Sequence, residues 1–145
     1  RIEMGHVAGS ELDGRTIPYD NSLEGLVSKK KDFIGKRSLQ KEAYLAADRE
    51  KIVGVVPIDK KTSIPEGSYI VRDPKAKLPN PKLGHVSASC WSVEYNNPFS
   101  LAIIKDGKNM IGKKLFALSP VKNKSIPVEI VSSHYVDPKG ERVRS

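Results

Sequence analysis

Any chemistry in this chain has to come from a short list of side chains. Three histidines, His6, His85 and His134, are dispersed, and none stands at helical i, i+4 spacing with another or beside a nucleophile motif. A lone histidine is more often a packing or hydrogen-bonding residue than a catalyst. The single cysteine, Cys90, sits in Ala88-Ser89-Cys90-Trp91 with no histidine adjacent, which reads as a strand residue rather than an activated thiol. No Cys or His cluster has metal-ligand spacing, and the glycines are spread singly, so neither the dinucleotide nor the P-loop pattern is present. The expectation is therefore of no catalytic residue and no metal site, with any flavin or nicotinamide chemistry lying elsewhere. What remains are groups suited to binding: the run Lys29-Lys30-Lys31 and the aromatics Trp91 and Tyr95. Trp91 and Tyr95 offer a stacking surface, but in an aromatic-poor chain they are expected as plugs of an apolar core.

Across 145 residues, 25 Lys and Arg against 17 Asp and Glu give a net charge of +8 and favour anionic partners without distinguishing nucleic acid, acidic lipid and polyanionic small ligand. Most of these lysines are expected to form a solvated surface. One cysteine forms no internal disulfide, and no apolar run approaches the roughly 20 residues a membrane helix needs. With no initiator methionine and no signal pattern ahead of Arg1, the chain reads as a soluble, cytoplasmic piece of something longer.

The elements that must position these groups fall into two textures. Residues 1–48 carry Gly5, Gly9, Gly14, Pro18 and Gly25, so most of this stretch is expected to be loop, with a short strand around Leu26 and Val27 and a helix over Ser38 to Ala47. From residue 49 the texture is all-β. The strands expected are Ile52–Pro57, Tyr69–Arg72, Leu83–Ser89, Ser100–Lys105, Lys114–Ala117 and Val128–Tyr135, separated by Pro65-Glu66-Gly67, Asp73-Pro74, Asn96-Asn97-Pro98, Asp106-Gly107 and Ser119-Pro120. Asp106-Gly107 is a strong tight-turn signal, and Lys75–Lys82 with its two prolines is expected to be a mobile surface loop. Six short strands in under a hundred residues suggest a small closed barrel, since closure removes exposed edges.

One tract is more specific than texture. Val27-Ser28-Lys29-Lys30-Lys31-Asp32-Phe33-Ile34-Gly35-Lys36-Arg37-Ser38-Leu39, read with Arg1-Ile2-Glu3-Met4-Gly5, resembles the folate-dependent aminomethyltransferase family (glycine cleavage T-protein), and within it the C-terminal part of the sarcosine oxidase alpha subunits. Further matches are Gly54-Val55-Val56-Pro57, Pro65-Glu66-Gly67, Gly84-His85-Val86-Ser87-Ala88-Ser89 and Ala102-Ile103-Ile104, so the likeness runs the length of the chain. Ser89-Cys90-Trp91-Ser92 looks like the oxidase branch, whereas a typical glycine cleavage T-protein has Thr-Ser-Gly near Ser87-Ala88-Ser89; dimethylglycine dehydrogenase-like proteins share the architecture and stand as the close alternative.

The resemblance implies a mainly β fold with a short α/β N-terminal segment and a six-stranded Greek-key barrel. It makes 1–48 the remnant of a folate-binding core and 49–145 the barrel domain. The activity implied for the parent is oxidative demethylation of sarcosine to glycine, with transfer of the one-carbon unit to tetrahydrofolate to give 5,10-methylenetetrahydrofolate. Folate contacts carry over to Arg1, Glu3 and Tyr135, with Arg1 salt-bridging Glu3 as the purely structural alternative and a barrel-edge position as that for Tyr135. The family's catalytic aspartate and the FAD, FMN and NAD sites fall outside this chain, so the fragment alone is expected to bind folate weakly and not to catalyse. The partners implied are the remainder of the alpha subunit, the other sarcosine oxidase subunits and the folate, with no membrane. A basic β-barrel that binds RNA is the competing class, disfavoured because its aromatics are few and lie mostly inside apolar runs.

Overall fold

The structure is a computed structural model that describes residues 1–75 and 81–144; the loop expected over Lys75–Lys82 falls mostly outside the described residues. Its body is a closed barrel of six antiparallel strands: β1 (Glu50–Pro57), β2 (Tyr69–Val71), β3 (Gly84–Ser92), β4 (Asn97–Lys105), β5 (Lys114–Ser119) and β6 (Lys124–Val131). Around the wall they run β1-β4-β3-β2-β5-β6, with β6 closing on β1 through Pro57↔Val128 to Gly54↔Val131. Three successive strands, β2 to β4, are consecutive neighbours, and β1 returns beside β4, which is the Greek-key order. All six expected strands are present, shifted at their ends by a few residues.

Strand alternation sorts the side chains into two cores. Val53, Val55, Val86, Ala102, Ile104, Leu115, Ala117, Val128 and Ile130 point inward and fill the barrel. On β1 and β4 the other face is buried as well: Ile52, Val56, Phe99 and Leu101 form an outer cluster that Ile2, Val7, Cys90, Val131 and Tyr135 cover. The near-continuous apolar runs Ile52–Val56 and Phe99–Ile104 follow from this two-sided burial. A bulge between Val86 and Ala88 shifts the register of β3, placing Cys90 opposite Phe99 in the outer cluster and Trp91 opposite Pro98 at the barrel rim. Trp91 and Tyr95 are 51% and 49% exposed and are not core plugs.

Four other expectations give way. Leu26 and Val27 form no strand; Glu24–Leu26 is a single 3-10 turn without buried residues. The helix expected over Ser38 to Ala47 breaks at Lys41, whose backbone is extended (φ −63°, ψ 139°), into a 3-10 turn Ser38–Gln40 and one helical turn, α1 (Glu42–Leu45). No residue between Ser22 and Arg49 is buried, so good helix formers there have no core against which to pack. Asp106-Gly107 turns the chain with Asp106 at φ 53°, but into a 3-10 turn, Gly107–Met110, that leads from β4 to β5 across the barrel end rather than into a hairpin. Asn97 and Pro98, read as breakers, belong to β4, the hairpin turn being completed by Asn96 at φ 50°.

Two ends of the chain meet on the outer cluster. Residues 1–7 fold into a turn, and the backbone N–H groups of Tyr135 and Val136 both donate to the Glu3 carbonyl, at 2.9 and 3.0 Å. Gly5 makes this approach possible: at φ +69° a Cβ there would lie 2.8 Å from the Ser133 carbonyl oxygen.

Candidate functional site

The aromatic stack at this junction is built upward from a glycine. Gly54 on β1 faces outward, and a Cβ there would lie 2.6 Å from the Phe99 ring, so the bare backbone gives Phe99 its place. The Phe99 ring, fully buried, carries Tyr135 stacked at 4.5 Å with 7° between planes, and Tyr95 leans on Tyr135 at 4.5 Å and 53°. The Tyr135 hydroxyl accepts a hydrogen bond from Asn97 Nδ2 at 3.1 Å. Tyr135 lies beyond the end of β6 at Val131, a stacked residue of the outer layer rather than part of a strand.

Glu3 and Tyr135, expected together, are together: the Glu3 main chain holds Tyr135, and Glu3 Oε1 is buried with no hydrogen-bond partner among the described residues. An isolated buried carboxylate oxygen is costly, which makes it the clearest unmet demand at the site. Arg1 belongs to the same turn, but its guanidinium is directed elsewhere: Nη1 donates to the His6 carbonyl at 2.8 Å and reaches Glu11 Oε2 at 3.4 Å. Its ion-pair partner is thus Glu11, not Glu3. Glu11, fully buried, also accepts from the Ala8 N–H at 2.9 Å, while its Oε1 too has no partner among the described residues. Sequence reading missed Glu11 and Asn97, since nothing in Gly9-Ser10-Glu11 or in an apparent turn signals burial.

Burial pushes the Cys90 thiol up, and the nearby Glu3 carboxylate adds to the effect, so this cysteine is held in the unreactive protonated form as β3 wall. The histidines stay apart: His6 is exposed, His85 faces a cleft with Arg15 and Arg49, and His134 Nδ1 lies 3.2 Å from Ser133 Oγ. Among the described residues no group of three His, Cys, Asp or Glu could hold a metal ion.

The basic tract lies at a second place. Lys29, Lys30 and Lys31 are exposed beside an open trough lined also by Glu24 and Val27. Asp32-Phe33-Ile34-Gly35 does turn the chain, with Gly35 at φ +94°, and Lys36 Nζ closes it by donating to the Lys31 carbonyl at 2.9 Å and to Asp32 Oδ1 at 3.1 Å. The base of this arm is clamped. Asp20, 2% exposed, receives Arg49 Nε and Lys51 Nζ, each at 3.0 Å, from the start of β1. Burial works against its ionisation, but the hydrogen bonds from Arg49 and Lys51 outweigh it and hold the carboxyl below the usual range. The cleft alongside, about 210 Å³, contains Arg15, Arg49 and His85 together with Asp13 and Glu50, so its charges are largely matched within the protein.

No family model matches the chain. It is 35% identical over 144 residues to the sarcosine oxidase subunit alpha of Rhizobium meliloti (strain 1021) and 36% identical over 145 residues to that of Corynebacterium sp. (strain P-1). These alignments take in 99% and 98% of this chain but only 15% of either relative, so the chain spans about a seventh of the proteins it matches. Among solved structures, glycine cleavage system aminomethyltransferase T from Bartonella henselae superposes with a TM-score of 0.74 at 19% identity, covering 95% of this chain and 37% of that one, a likeness of fold.

Proposed function

On the premise that this chain is a sarcosine oxidase alpha-subunit homologue with the aminomethyltransferase fold, we propose that it is the C-terminal tetrahydrofolate-binding segment of such a subunit. The parent enzyme, in this reading, oxidatively demethylates sarcosine to glycine and passes the one-carbon unit to tetrahydrofolate, giving 5,10-methylenetetrahydrofolate. Its FAD, FMN and NAD lie outside this chain, and its partners are the remainder of the alpha subunit and the other subunits, in the cytoplasm. No helix of the described residues is long and apolar enough to cross a membrane.

The observation that carries the folate site is the buried, unpartnered Glu3 Oε1 beside the stacked Tyr135. A reduced pterin is planar, can meet the edge of the Tyr135 ring in a T-shaped contact, and carries N–H donors of the kind that carboxylate lacks. Arg1 supports the site from behind, holding the turn through His6 and Glu11, and needs a change of rotamer to reach a ligand itself. The chemistry of one-carbon transfer belongs to folate; what these residues supply is binding and orientation.

The division into a core remnant, 1–48, and a barrel domain, 49–145, is part of the same proposal. It is supported by the absence of buried residues between Ser22 and Arg49 and by charge: residues 1–48 hold 8 basic and 8 acidic side chains, so the whole excess of +8 lies in the barrel segment. The exposed Leu26, Phe33, Ile34 and Leu45 are then surfaces that the preceding part of the core covers. The test is a tetrahydrofolate titration of the full-length protein that carries this segment, followed through Trp91 and paired with Glu3→Gln. Saturable binding weakened by the substitution is the expected result. Absence of binding, with salt-sensitive binding of single-stranded RNA instead, would overturn the proposal in favour of the basic-barrel reading.

A further inference from the structure

Asn97 opens β4 with its side chain on the outer face, 4% exposed. Its amide does two unequal things. Nδ2 donates to the Tyr135 hydroxyl at 3.1 Å, while Oδ1 is buried and has no partner among the described residues. Glu3, whose carbonyl receives the Tyr135 N–H, has the same deficit at Oε1. Two buried acceptors, each on a residue bonded to Tyr135, therefore lack a donor among the described residues. An apolar side chain would fill the position of Asn97 without that deficit, because replacing a polar group by one of similar shape avoids the cost of leaving it unpaired.

We propose that Asn97 is a ligand-positioning residue of the folate site: its N–H fixes the Tyr135 hydroxyl, and its Oδ1, with Glu3 Oε1, accepts N–H donors of a tetrahydropterin. The inference rests on the folate reading of Glu3 and Tyr135. It also states the orientation, since acceptors attract the amino and ring N–H end of the ligand and repel its carboxylate tail. Tetrahydrofolate, with N–H groups at N5 and N8 that the oxidised ring lacks, is favoured over folic acid at such a site.

The experiment measures the tetrahydrofolate dissociation constant of the full-length protein carrying this segment, with Glu3→Gln, Tyr135→Phe, Asn97→Leu and the Asn97→Leu, Tyr135→Phe double variant. Asn97→Leu is expected to weaken binding about tenfold, the size of one lost hydrogen bond to a buried acceptor, and the double variant to be no weaker than Asn97→Leu by more than about twofold. If leucine prevents folding, Asn97→Ser gives the same comparison with a small polar side chain. Binding by Asn97→Leu within about twofold of the unaltered protein, while Glu3→Gln weakens it, would overturn the role of Asn97 and leave the folate site standing. No binding by the unaltered protein would overturn both.

Discussion

Replacing Asp20 by asparagine removes one charge and keeps the shape of the side chain that closes the arm against β1. Arg49 and Lys51 would then share a neutral acceptor at a site where their side chains are only 19% and 15% exposed. Breaking a buried ion pair costs about 3–5 kcal/mol; partial access of water to both cations, and the oxygen that asparagine retains, bring the expected loss to about 2–3 kcal/mol. The Ile17 N–H donates to the Asp20 carboxylate at 3.1 Å and the Ile52 N–H to the Asp20 carbonyl at 2.8 Å, so amide hydrogen exchange at these two positions reads the clamp directly. Protection there should fall roughly 30- to 140-fold at neutral pH while the β3–β4 amides keep theirs. The pH dependence has a defined sign. The folded carboxyl sits below its ordinary value, so its stabilisation is whole above the unfolded range near 4 and fades as the pH falls through the depressed value. The difference between the two proteins should therefore shrink on acidification from pH 5 to pH 3. A loss of protection under about threefold at neutral pH, or a difference that grows with acid, would refute the clamp.

Two further outcomes follow from local geometry. A Cβ on Gly84 would lie 1.9 Å from the Ile103 carbonyl oxygen, a backbone atom that has no room to yield, so Gly84→Ala should destabilise the barrel by about 3 kcal/mol or more in urea unfolding; a loss under about 1 kcal/mol would mean β3 and β4 separate more easily than drawn. Asp59, fully exposed, is pulled down to about 2 by the Thr62 hydroxyl and by the Thr62 and Lys61 N–H groups. Thr62→Ala should raise its titration midpoint toward the ordinary carboxylate value, and an unmoved midpoint by NMR would remove the hydroxyl as the main cause.

The barrel was legible because its code is local. Period-two runs of β-branched residues between Pro, Gly, Asn and Asp mark where strands begin and end, and six of them leave closure as the economical arrangement. Strand order was legible through family likeness alone, since Asp106-Gly107 looks like a hairpin and in fact carries the chain across the barrel end. Ser38 to Ala47 misled because propensity is a weak vote where no apolar face is buried, and Lys41 breaks the helix without any glycine or proline to announce it. Trp91 misled because a large aromatic in an aromatic-poor chain suggests a core plug, whereas its place opposite Pro98, near the β3–β4 hairpin end, leaves the ring 51% exposed. At the site, Glu3 and Tyr135 came from resemblance. Asn97 was hidden because its meaning lies in its bond to Tyr135, which is held on the Glu3 carbonyl 132 residues away in sequence, a coincidence of topology that no window of sequence contains, and Glu11 because the folding of residues 1–21 around it leaves no local signal.

The second core on one side of the wall divides the barrel into two dialects. On β5 and β6 alternate positions face water, and a mutation there has a fair chance of passing unnoticed. On β1 and β4 burial runs along both faces, so nearly every letter is committed, one side to the barrel and the other to the stack beneath Tyr135. Neutral drift should consequently move at two speeds around a single ring of strands. The slow side is the one that supports the candidate site, so its geometry is guarded by packing even at residues that never touch a ligand.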